Sequence, residues 1–161
     1  MIRVVHILNQ FFAGIGGEEK ADIPVAVADG AAGAARGLQS QLAERGEVVG
    51  TIYFGDNYFH EHKDEALGAI TVEIEKRKPD VVVAGPAFNA GRYGLACVEI
   101  CQTVSERLGL RCVTAMEPEN PAVSVYRDSH NDKIFLLPSG ETASGMARDA
   151  DRAGAVCLPL G

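Results

Sequence analysis

The sequence predicts an α/β fold: a three-layer sandwich with a five-stranded, mostly parallel sheet. Three observations carry that expectation. Apolar runs rich in β-branched residues alternate with amphipathic stretches along the chain. The connections between successive runs are long enough to hold a helix, which parallel strands require. The run DVVVAG at 80–85 is apolar throughout its centre, as expected of a strand buried on both faces. Strand order stays open at this level, because a flavodoxin-like and a Rossmann-like order both satisfy the pattern.

IRVVHIL at 2–8 reads as the first strand, and NQFFAGIGGEEKADIP, rich in glycines and acids, reads as a long loop after it. From about Gly30 to Arg45 the residues Ala32, Ala35, Leu38 and Leu42 recur at helical spacing, with Gly46 as the stop. EVVGTIYF is the second strand, GDNYFHEH at 55–62 a loop, and Lys63 to Arg77 a helix halted by Pro79. DVVVAG is the third strand, PAFNAGRYG leads into a helix reaching about Leu108, and LRCVTAM is the fourth. The two prolines of EPENPAV and the polar YRDSHND argue for irregular chain. KIFLLPSG then makes the fifth strand, before a short helix around Ser144 to Arg152.

A length of 161 residues fits one domain, residues 1–161, large enough to bury about two thirds of its unfolded surface. With 47% hydrophobic and 23% charged residues the chain is globular in composition, neither disordered nor collagen-like. Fifteen Lys+Arg against 22 Asp+Glu leave a net charge of -7, which repels phosphate backbones and anionic lipids, so no nucleic acid and no membrane is expected as a partner. No stretch approaches the roughly 18 apolar residues of a membrane span, and Met1 runs straight into a strand without a signal-peptide pattern; the expected location is cytoplasmic. Cys97, Cys101, Cys112 and Cys157 form no CxxC pair and are assigned to packing.

In an open parallel sheet the ligand crevice lies beyond the carboxyl ends of the strands. Loops 9–24, 55–62, 86–93, 117–121 and 139–145 should therefore share one rim. Gly14, Gly16 and Gly17 do not fit G-x-G-x-x-G, whose last position is Glu19, and the adjacent Glu18 and Glu19 would repel a pyrophosphate. The rim is acidic, with Glu18, Glu19, Asp22, Asp56, Glu117, Glu119 and Glu141, but it also holds Lys20 and Arg92. Both signs together suit a zwitterion, whose ammonium would meet a carboxylate or aromatic faces such as Phe11, Phe12, Tyr58, Phe59, Phe88 and Tyr93, and whose carboxylate would meet the Arg92 fork. The plainer reading of each charge is a solvated loop residue. His60 and His62 around Glu61 read as a solvated helix entry rather than a metal site completed by Asp56 or Asp64, and His6 as a hydrogen-bonded core histidine. Ser139, Thr142 and Ser144 either offer hydroxyls to a ligand or cap the next helix, and His130 lies in a polar loop.

NQFFAGIGGEEKAD at 9–22, GDNYF at 55–59, AGPAFNAGRYGLAC at 84–97 and MEPENP at 116–121 are long, specific segments. Through them nearly the whole chain resembles the selenoprotein B subunits of the glycine, sarcosine and betaine reductases. In that family the B component takes the amine, cleaves its carbon–nitrogen bond reductively and passes the carboxymethyl group to the selenocysteine of protein A. The resemblance thus implies a small zwitterionic amine substrate (glycine, sarcosine or betaine), other reductase subunits including selenoprotein A as partners, and leaves homo-oligomers open. Family members are longer, and their selenocysteine lies in a C-terminal half without a counterpart here. The expectation is an N-terminal domain of a longer chain, or a standalone paralogue, with no cofactor and no catalytic residue of its own. Within it Arg92 would pair the substrate carboxylate, Glu18 or Glu19 would face the cationic nitrogen, and Asn9 and Asn89 would hydrogen-bond at the crevice floor. The alternative is a non-catalytic small-molecule-binding or complex-assembly domain, with Leu158, Pro159 and Leu160 as apolar contact surface.

Overall fold

A strand buried at every position except one needs neighbours on both edges and cover on both faces, and Ile2–Asn9 is buried everywhere but at Arg3. The computed structural model describes residues 1–129, 131–137 and 146–151. Its strands are β1 (Ile2–Asn9), β2 (Ala26–Asp29), β3 (Gly46–Phe54), β4 (Val81–Ala84), β5 (Arg111–Ala115) and β6 (Ile134–Leu137). They form one sheet in the order β2-β3-β1-β4-β5-β6, with β1 pairing in parallel to β3 and β4. The five parallel strands follow the flavodoxin-like order, which decides between the two orders left open above.

The described sheet has six strands where five are expected. The additional one is β2, antiparallel to β3 with Ala26 opposite Tyr53 and Asp29 opposite Gly50. Only four residues long and at the sheet edge, it is made a strand by its partner rather than by its own pattern.

Five helices follow in chain order: α1 (Ala35–Leu42), α2 (Asp56–Glu61), α3 (Lys63–Arg77), α4 (Gly91–Leu108) and α5 (Ala122–Ser129), with a further helical stretch at 146–151. Three differ from expectation. α1 starts five residues later than Gly30, because Gly33 sits at φ +56° with its α-carbon against the backbone of Phe12 and Ala13; a Cβ there would lie 2.5 Å from the Phe12 carbonyl oxygen. The segment 55–62 is helical, since Phe59 is fully buried and the Ala21 carbonyl accepts the N–H groups of Asn57 and Tyr58 at 2.9 and 3.0 Å. The segment 117–132 holds α5, introduced by Asn120, whose Oδ1 accepts the Ala122 N–H at 3.0 Å, and by Pro121 just before the first turn.

One face of the sheet packs Val5, Ile7 and Phe54 against α3 and α4 through Ile70, Ile74, Ile100 and Val104. The other packs Val4, Leu8 and Val83 against Leu38 and Leu42 of α1 and against Met146 and Ala150. The chain leaving β1 thus leads to a helix on one face and the chain leaving β4 to a helix on the other. That divergence opens a crevice between their first residues. Among the described residues no helix is long and apolar enough to cross a membrane.

Candidate functional site

A crevice of about 800 Å³ occupies this divergence, lined from three segments: residues 9–18 after β1, Asp56 at the start of α2, and residues 87–93 leading into α4. Asn9, Glu18, Asn89 and Arg92 all line it. Glu19 does not. Its Oε1 accepts the Gly17 N–H at 3.0 Å, and hydrogen bonds to its own and the Gly17 backbone hold its carboxyl below the usual range.

The crevice floor is built from the end of β1. Asn9, 3% exposed, accepts the Phe12 N–H on Oδ1 at 2.9 Å and donates Nδ2 to Oδ2 of Asp56 at 3.1 Å. Gln10 Oε1 accepts the Asp56 N–H at 3.1 Å, so two consecutive residues of the strand end fix the first residue of α2. Asp56 is 7% exposed, and its Oδ1 is buried without a hydrogen-bond partner among the described residues. Burial pushes its carboxyl up, against the opposing pull of the Asn9 hydrogen bond and the Arg92 charge. From the sequence Asp56 is one acid among seven on the rim; only its burial sets it apart.

Arg92, the second residue of α4, donates one terminal nitrogen to the Asn57 side-chain oxygen and the other to Oε1 of Glu18. One guanidinium therefore ties together the loop after β1, α2 and α4. The pair is solvated at its acidic end, with side-chain exposures of 40% for Arg92 and 72% for Glu18.

Part of the lining is aromatic. The Phe12 ring lies 5.9 Å from Phe88 and 5.6 Å from Tyr93. Phe88 has φ +49°, an unusual backbone for a bulky residue, and Asn120 holds it there. Buried to 2% exposure, Asn120 donates Nδ2 to the Phe88 and Ala90 carbonyls at 3.0 and 3.2 Å, while Phe88 O also accepts the Glu117 N–H. MEPENP thus acts from beneath the loop that presents Asn89 and does not itself line the crevice. Tyr93 is wholly buried; its hydroxyl donates to Ile7 O at 2.7 Å and accepts the Gly85 N–H at 3.1 Å, joining β1 to the end of β4. Tyr93→Phe leaves Gly85 N–H and Ile7 O only their long mutual hydrogen bond of 3.4 Å and should cost about 1 kcal/mol in urea unfolding. An unchanged midpoint and slope would remove the hydroxyl from this role.

Other sequence candidates lie elsewhere. Phe59 packs on Phe54 with centroids 5.1 Å apart, and Tyr58 stacks on His62 at 4.9 Å; neither lines the crevice, nor do Lys20, Asp22, Glu117 and Glu119. His60 and His62 close α2, and among the described residues no group of three His, Cys, Asp or Glu side chains is placed to hold a metal ion. Cys97, Cys101 and Cys112 are buried free thiols, and burial raises Cys97 well above its usual range. His6 is buried with Nε2 2.6 Å from the Gly85 carbonyl oxygen. His130, Ser139, Glu141, Thr142, Ser144, Cys157 and the apolar end Leu158, Pro159 and Leu160 lie outside the described residues.

The lining offers two carboxylates, one guanidinium, three side-chain amides and an aromatic wall, and no serine, cysteine or histidine among the described residues. It is equipped to hold a small charged molecule. Fold and crevice together define an α/β domain of flavodoxin-like strand order with an open crevice where the strand order reverses. The family model described as Glycine/sarcosine/betaine reductase selenoprotein B (GRDB) matches residues 1–158. The chain belongs to that family. It is 46% identical over 158 residues to glycine reductase complex component B subunit gamma of Carboxydothermus hydrogenoformans, covering 98% of this chain and 35% of the relative. The same subunit of Symbiobacterium thermophilum is 49% identical over 145 residues, 90% of this chain and 33% of the relative. Sarcosine reductase complex component B subunit beta of Peptoclostridium acidaminophilum is 46% identical over 145 residues, 90% of this chain and 32% of the relative. The chain therefore spans about a third of the length of these relatives. No solved structure matches it.

Proposed function

We propose that this chain is the substrate-handling, N-terminal domain of a cytoplasmic glycine, sarcosine or betaine reductase component B. Its crevice holds the zwitterionic amine, while reductive carbon–nitrogen cleavage and transfer of the carboxymethyl group to protein A use groups from outside these 161 residues. The observation that supports the reading is that Arg92, paired to Glu18, lines one crevice with the buried Asn9, the exposed Asn89 and an aromatic wall. A substrate carboxylate takes the place at Arg92 that the solvated Glu18 occupies, and Glu18 is then free to face the cationic end of the substrate. The redox-active selenocysteine belongs, in this reading, to the remainder of the protein; Cys97, Cys101 and Cys112 are buried and none lines the crevice. A second reading, a docking domain for other reductase subunits, draws on Phe11, Ile15 and Phe88, which are 64%, 41% and 37% exposed.

Calorimetric titration with glycine, sarcosine and betaine tests the first reading. Arg92→Ala should weaken the best-bound amine by about 1.5 kcal/mol or more, roughly tenfold, since a charge-assisted fork is lost. Arg92→Lys should recover only part of it, because an ammonium lacks the planar fork. Equal affinity of parent and Arg92→Ala would overturn the assignment.

A further inference from the structure

The crevice floor contains a polar atom whose partner is missing. Asp56 is held by its neighbours through everything except Oδ1: its N–H donates to Gln10 and its Oδ2 accepts from Asn9. Oδ1 is buried and unpartnered among the described residues, although Asp56 lines the crevice and is 7% exposed. A buried carboxylate oxygen without a donor costs more than almost any other unmet polar group, and such exceptions concentrate at sites that a ligand completes. Glu18 is the opposite case, a solvated acid already paired to Arg92.

We infer that Asp56 is the acceptor for an N–H of the bound amine, so that the site selects zwitterions whose nitrogen carries at least one hydrogen. The inference rests on the proposed zwitterion-binding function and goes beyond it in assigning the nitrogen to a different residue and in naming a selectivity. Geometry and charge agree. Arg92, bonded to Asn57 beside Asp56, lines the same crevice for the carboxylate, leaving Asp56 as the buried anion for the ammonium. A primary or secondary ammonium donates to Oδ1 and satisfies it. A trimethylammonium keeps its charge attraction to the crevice acids and the aromatic wall, but it has no N–H to give and would seal the crevice over an acceptor without a hydrogen bond.

The test is calorimetry on the intact protein with glycine, sarcosine and betaine as the probes. The parent should bind glycine and sarcosine at least about tenfold more tightly than betaine, the usual size of a lost hydrogen bond to a charged group. Asp56→Asn keeps the acceptor for Asn9 and places an amide where Oδ1 was. It should weaken glycine by about tenfold and bring it level with betaine. The parent comparison needs no variant, so it decides the matter even if Asp56→Asn does not fold. A parent that binds betaine as tightly as glycine, or a folded Asp56→Asn that binds glycine like the parent, overturns this inference alone. No binding of any of the three amines overturns the proposed function, and this inference with it.

Discussion

Taking the protein from pH 7 to pH 4 should remove about 3 kcal/mol of stability through His6 alone. His6 is wholly buried, and burial lowers its pKa from 6.5 to about 4, with the Gly85 carbonyl acting weakly the other way. The unfolded chain takes up a proton near 6.5 that the folded chain refuses until about 4, so the stabilisation is complete above about 6.5 and is lost as the pH falls through that window. Asp56 acts in the opposite sense: its raised folded pKa favours the folded state as acid is added. The two are separated by comparing urea midpoints from pH 7 to pH 4 for the parent and for His6→Gln, which keeps an N–H donor of similar reach and cannot titrate. The parent should fall more steeply. Parallel curves would show that His6 does not govern the acid limb.

Gly55→Ala should cost about 3 kcal/mol, the upper range for crowding a packed interior. A Cβ at Gly55 would lie 2.1 Å from the Ala21 carbonyl oxygen and 2.8 Å from the Ile23 nitrogen, and both obstacles are backbone. Neither can swing aside as a side chain would. The same Ala21 carbonyl caps α2, and Ala21 closes the short 3-10 turn Glu18–Lys20, so the substitution should also loosen the link between Glu18 and Arg92. Thermal melting measures the first effect. Gly68→Ala, with nothing near its Cβ position, is the control for adding a methyl group. If both variants melt together, Ala21 and Gly55 are not in the contact described.

What was readable in the sequence follows the range of the forces involved. β1, β3, β4, α3 and α4 announce themselves by periodicity and by their stops, because burial on a face repeats along the chain. The carboxyl-end rule brings Asn9, Glu18, Asn89 and Arg92 to one rim without coordinates. α5 is masked in the sequence because the prolines of EPENP resemble breakers, whereas Asn120 and Pro121 start a helix. β2 and α2 depend on Tyr53 and Ala21, partners outside their own segments. The pairing of Arg92 with Glu18 spans 74 residues, and the burial of Asp56 depends on Asn9 and Gln10 at the end of another strand. No local pattern encodes either one.

The position of β1 at the middle of the sheet also bears on how the chain reaches its fold. β1 needs distant company made after it: Ile2 waits for Gly46 and Val4 for Val81. Pairings of such long sequence separation form slowly, since loop closure must precede any gain from contact. During synthesis Val4, Val5, Ile7 and Leu8 therefore travel as an uncovered apolar segment until β4 at Val81–Ala84 has been made, a natural target for chaperones and for mispairing with other nascent chains.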